Sequence, residues 1–153
     1  MKILLKFILF FLLLTNISNA DLLKPNTTLK PMDVLTIQLN SLKNNNIPYK
    51  DAGIEQAWVF AHPNNKKATG PLEKFKKMIY SENYYLLIGH ANYKIIVLNE
   101  SKNTLVYKVY ILSKNKKKYY YIWQIEKVTE DGKLKNCWMT TGVSNPEFLG
   151  DII

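Results

Sequence analysis

The chain has 153 residues, 47% of them hydrophobic, and carries 21 basic against 12 acidic side chains, a net charge of +9. That length suits one domain with a real core. Every basic residue is a lysine; without the guanidinium fork that grips phosphate and guanine, the charge reads as solvated surface and no nucleic-acid partner is expected.

Residues 1–20, "MKILLKFILFFLLLTNISNA", combine Lys2 and Lys6 with the apolar run Phe7 to Leu14 and the small-residue boundary Ser18-Asn19-Ala20. This is the pattern of a signal peptide cleaved after Ala20, and it implies a periplasmic or secreted protein. The apolar run is shorter than the roughly 20 residues of a spanning helix, and no later segment reads as a transmembrane one. Residues 21–30 read as a flexible lead-in. A helix follows, with Pro31 in its first turn and Val34, Leu35, Gln38, Leu39 and Leu42 at helical spacing. Gln38 falls inside that apolar arc, where a buried amide must find partners. A second helix is expected after Asp51 as N-cap, with Ile54, Ala57, Trp58 and Ala61 on one face and Pro63 as its stop.

The stretch "HPNNKKATGP", residues 62–71, reads as a loop. Thr69 is expected to cap a third helix, with Pro71 in its first turn and Leu72, Phe75 and Ile79 as its buried stripe. Asn65, Lys66, Lys67, Thr69 and Gly70 would then form an anion-binding turn at that helix start. From residue 83 onward the pattern becomes strand-like. "NYYLLIG", "YKIIVLNE", "TLVYKVYILS", "KYYYIWQIEKV" and "KLKNCWMTTGV" are rich in Tyr, Ile, Val and Trp, and Asp131-Gly132 is the strongest hairpin signal. Helices followed by an antiparallel meander of about five strands make an α+β domain. It spans residues 31–145, and residues 146–153 read as a C-terminal tail.

The words "PMDVLTIQLNSLKNNN", "DAGIEQAWVFAHPNN", "ATGPLEKFKKM", "LLIGH" and "CWMTTGV" together resemble domain of unknown function 4864, a family of bacteria and plants. The resemblance covers residues 31–145. It implies a nuclear transport factor 2-like cone, in which helices cover a bent sheet and leave a cavity. It implies no biochemical activity. The chain departs from the family at Lys66 and Lys74, where arginine is usual, and at Thr141, where an acid is usual, which removes a candidate catalytic acid.

The candidate ligand-binding residues are Gln38, Trp58, His62, Asn65, Lys66, Thr69, Gly70, His90 and Trp138. His62 and His90 are the two histidines, and an imidazole is the usual acid–base group at neutral pH, but no carboxylate is placed beside either, so no catalytic residue is assigned. Two histidines and the single cysteine, Cys137, give no metal-ligand set, and no cofactor is expected. With one cysteine there is no internal disulfide; Cys137 reads as a small packed residue. Trp58, Trp123, Trp138 and the Tyr119–Tyr121 run suit a core, a flat apolar ligand or a dimer interface. The leading functional expectation is therefore an exported, non-catalytic module that binds a small apolar or anionic ligand or a protein partner. The alternatives are a small cofactor-free hydrolase, isomerase or dehydratase using a cavity histidine, and a structural envelope protein forming a homodimer through its sheet.

Overall fold

The computed structural model describes residues 21–151; residues 1–20, expected from the sequence to be a signal peptide, lie outside the described residues. Among the described residues four helices precede five strands: α1 Pro31–Lys43, α2 Ala52–Val59, α3 Pro63–Thr69, α4 Leu72–Ile79, then β1 Asn92–Glu100, β2 Thr104–Leu112, β3 Lys117–Lys127, β4 Trp138–Val143 and β5 Glu147–Asp151. The expected α+β class holds, as helices packed on an open antiparallel sheet. No described helix is long and apolar enough to cross a membrane.

α1 forms as its pattern dictates. Pro31 occupies the first turn, and Val34, Leu35, Gln38, Leu39 and Leu42 are all buried. The Asp33 carboxylate accepts from the Lys30 backbone N–H at 2.8 Å, which ties the entering chain to the positive end of the helix. α2 packs across α1 so closely that a Cβ on Gly53 would lie 2.0 Å from the Ser41 carbonyl oxygen.

Asp51 does not cap α2 as expected: it sits at φ 67° and makes no side-chain cap bond. Asn45 supplies the cap from six residues earlier. Its backbone oxygen accepts from Gly53 N and its side-chain oxygen from Ile54 N, both at 2.9 Å. The Asp51 carboxylate instead accepts from the Tyr80 hydroxyl.

The segment after Pro63 is a helix rather than a loop. Pro63 stands at the start of α3, and none of the seven α3 residues is buried. Without a buried stripe α3 has no hydrophobic period to read. Thr69 is in its last turn and donates back to Asn65 O at 2.8 Å, so it does not cap α4. Pro71 is the N-cap residue of α4, with no side-chain cap bond. Phe75 and Ile79 are buried, as expected.

"NYYLLIG" is not a strand. It is a turn leading into a short 3-10 helix, Tyr85–Leu87, held by local bonds such as Tyr85 N to Ser81 O at 2.9 Å. A short apolar run does not by itself distinguish the two.

β1, β2, β3 and β4 pair in sequence order, and β5 pairs with the opening residues of β3. β4 pairs with the far end of β3, from Trp123 to Lys127. The register sets Tyr107 opposite Trp123 and Val109 opposite Tyr121, so odd-numbered residues of β2 and β3 face the helices. Leu105, Tyr107, Val109, Ile111, Tyr121, Trp123 and Ile125 share one core with Val34, Leu35, Leu39, Ile54 and Phe60. Residues 128–137 loop between β3 and β4 and enclose a second, smaller cluster of Val128, Cys137 and Met139. Cys137 is buried there as a free thiol.

Candidate functional site

A cavity of about 340 Å³ lies between the helices and the sheet. Gln38, Leu42, Ala57, Phe75, Ile79, Leu87 and Trp123 form its buried walls. Asn64 and Ala68 on α3 also line it and are exposed, so the cavity opens beside α3. Tyr84, from the turn before the 3-10 helix, closes another side. Its hydroxyl donates to Val143 O at 3.1 Å, and burial raises its pKa, so the phenol stays neutral.

Thr140 organises this wall. Its hydroxyl accepts from Trp123 Nε1 at 3.0 Å and donates to Gln38 Oε1 at 2.6 Å. Its backbone N–H donates to Phe60 O at 2.9 Å. Its carbonyl accepts from His62 N at 2.8 Å and from Asn65 Nδ2 at 3.1 Å. One threonine thus joins α1, the α2–α3 joint, α3, β3 and β4.

The strand geometry explains its position. Ile125 pairs with Thr140 but Gln124 pairs with Gly142, so Thr141 is the extra residue of a bulge. The bulge lets both Thr140 and Val143 lie on the inner face, which strict alternation forbids. The Thr141 hydroxyl is spent on Gln124 O at 3.3 Å.

Three of the nine candidates, Gln38, Asn65 and Thr69, come together on the cavity lining. The other six lie outside it. Trp58 packs its ring 4.9 Å from Phe75 and holds the Lys66 ammonium 5.5 Å above its face. Lys66 also donates to Val59 O at 3.2 Å, and burial lowers its pKa. Gly70 lies against this unit: a Cβ there would approach the Trp58 ring to 2.9 Å and Lys66 O to 2.5 Å.

Lys66 is therefore committed within the fold rather than offered to an anion. The expected anion-binding turn is replaced by α3 itself, and the backbone N–H groups of Asn64 and Lys66 at its start are already bonded to His62. His62 is buried, and its Nδ1 accepts from Asn64 N at 3.2 Å, while Lys66 N donates to His62 O at 2.9 Å. Trp138 is half-buried, with the Lys127 ammonium 4.9 Å from its ring.

His90 is 2% exposed. Its Nδ1 lies 2.8 Å from Leu87 O. A carbonyl only accepts, so Nδ1 carries the proton, and the buried Nε2 has no partner among the described residues. Burial, and secondarily the nearby Lys43 charge, lower its pKa, against an opposing effect of the Leu87 bond. A neutral imidazole is what this site tolerates.

Among the described residues no group of three or more His, Cys, Asp or Glu side chains is placed to hold a metal ion. The cavity lining contributes amides, hydroxyls and one indole N–H, set in an otherwise apolar surface. Such a surface can hold and orient a small molecule. It offers no group that would exchange a proton near neutral pH. Thr140 and Trp123 were not among the sequence candidates. The one signal that pointed to this wall was Gln38, a polar residue in an apolar helical arc. Comparisons of the chain with family models, curated proteins and solved structures find no significant match.

Proposed function

We propose that the chain is an exported, non-catalytic domain of the nuclear transport factor 2-like cone type that binds a small, largely apolar ligand between its helices and its sheet. The observation that carries this reading is the cavity: about 340 Å³, opening at α3, with Leu42, Ala57, Phe75, Ile79, Leu87 and Trp123 as walls. That volume is in the range of small-molecule sites, which are mostly apolar with a few placed polar groups. Hydrolysis, isomerisation or dehydration would call for a titrating side chain on the lining. Both histidines lie elsewhere, and Tyr84 is held neutral.

Native mass spectrometry after gentle purification tests the proposal. The wild-type protein is expected to carry a bound mass. Ala68→Trp, at an exposed position on the mouth, is expected to fold normally and lose it. A wild-type protein that never carries ligand, or an Ala68→Trp variant that retains it, contradicts the reading.

A second reading, association through the sheet, is favoured by exposed apolar residues on edge strands: Ile96, Val97 and Leu98 on β1, and Phe148 and Leu149 on β5. Light scattering should then show a dimer that Val97→Lys disrupts. A monomer at all concentrations removes that reading.

A further inference from the structure

The hydrogen-bond directions along the cavity wall leave one donor unspent. An indole N–H can only donate, so Thr140 Oγ1 accepts from Trp123 Nε1 at 3.0 Å. The single hydroxyl proton then goes to Gln38 Oε1 at 2.6 Å. At the other end of the amide the Ala57 carbonyl can only accept, and Gln38 Nε2 lies 3.0 Å from it. Both ends fix the same orientation of the side chain. Its NH₂ group has two hydrogens; one is given to Ala57 O, and the second has no acceptor among the described residues. Gln38 is 2% exposed and part of the cavity wall. A donor so deeply buried is costly to leave unmet.

The other lining hydroxyls have spent their protons: Thr69 on Asn65, Tyr84 on Val143 O, Thr141 on Gln124 O. The spare N–H groups of Asn64 and Asn65 belong to α3, at the mouth, where water reaches. Among the described residues no Lys or other cation lines the cavity. An ionised carboxylate would therefore be desolvated there without a counter-charge. The volume of about 340 Å³ corresponds to roughly eleven water volumes, which suits a molecule of about ten non-hydrogen atoms.

We infer that the cavity takes a neutral carbonyl compound, its apolar body against Leu42, Phe75, Ile79 and Trp123 and its oxygen accepting from Gln38 Nε2. This rests on the reading of the cavity as a ligand site, and it adds the charge and the polar group of the ligand.

Three probes of nearly equal size separate the two levels: acetophenone, a neutral acceptor; isopropylbenzene, with no acceptor; and benzoate, an anion at pH 7. Each is titrated against the full mature chain, with backbone and Gln38 side-chain amide signals followed by NMR. Acetophenone is expected to shift the Gln38 Nε2 protons together with Ala57 and Thr140, while isopropylbenzene shifts the apolar wall alone. Benzoate is expected to bind at least tenfold more weakly than acetophenone.

In Gln38→Met the affinity of acetophenone relative to isopropylbenzene should fall roughly tenfold, the size of one net hydrogen bond. Should that variant fail to fold, the Gln38 signals of the wild type decide alone. If acetophenone moves the wall but not Gln38, or if benzoate binds best, the carbonyl inference is overturned while the ligand site stands. If none of the three probes moves any lining residue, both are overturned.

Discussion

Replacing Thr140 by valine removes a hydroxyl and keeps the shape, so it isolates the hydrogen bonds at the centre of the site. The backbone bonds of Thr140 to Phe60, His62 and Asn65 survive the change, because they use N–H and C=O. Two groups lose their partners: Trp123 Nε1, on a residue 2% exposed, and Gln38 Oε1, on one equally buried. A buried polar group left unpaired costs about 1–3 kcal/mol. Gln38 borders the cavity, where water can partly replace the lost proton, so the sum settles at about 2–4 kcal/mol. For a domain of this length 1 kcal/mol moves the melting temperature by roughly 4 °C, giving a drop of roughly 8–16 °C. Urea denaturation should show a lower midpoint with an unchanged slope. Thr140→Ser keeps the hydroxyl and should cost only about 1 kcal/mol for the lost methyl. A Thr140→Val variant within about 0.5 kcal/mol of wild type, or a Ser variant as damaged as the Val one, would refute the reasoning.

Asn45→Ala leaves the buried Ile54 N–H without its cap and should cost about 1–2 kcal/mol in the same assay; a neutral result would show that water or Asp51 takes over. Gly53→Ala places a Cβ 2.0 Å from Ser41 O and 2.7 Å from Asn45 Cα, both backbone atoms; it should cost about 3 kcal/mol or more and is disproved by a normally stable variant. His90 has a folded pKa below its ordinary value of 6.5, so the unfolded chain binds more protons between the two values. Its contribution to stability is complete above about pH 6.5 and is lost as pH falls from there toward the folded pKa. An NMR titration placing the His90 midpoint at or above 6.5, or a His90→Leu variant that keeps the wild-type pH slope below 6.5, contradicts this.

The first helix was legible because its packing is one-dimensional. Val34, Leu35, Gln38, Leu39 and Leu42 recur with the helical period and are buried on one side, and the anomaly within that stripe, Gln38, proved to line the cavity. The four consecutive strands β1 to β4 were legible for the same reason, with period two in place of 3.6, whereas β5, Glu147–Asp151, falls in the residues expected to be a tail. α3 was not, because none of its residues is buried and nothing apolar repeats. The 3-10 segment carried apolar residues too few to show any period. Thr140 was hidden for a different reason. Its role comes from convergence of segments up to 102 residues apart, brought to one point by a bulge at Thr141 that no local pattern announces. The tryptophans show the converse: size gave Trp58, Trp123 and Trp138 the same open reading of core, ligand surface or interface, and of the three only Trp123 lies on the cavity lining.

The central claim is that a ligand lies in the cavity against Gln38, and a crystal structure of protein purified gently from its native source tests it most directly. The account predicts continuous density for a compact molecule between Phe75, Leu87 and Trp123, with one atom within about 3 Å of Gln38 Nε2. A cavity occupied by scattered water, or a ligand bound elsewhere while the space beside Gln38 stays solvent-filled, would contradict it.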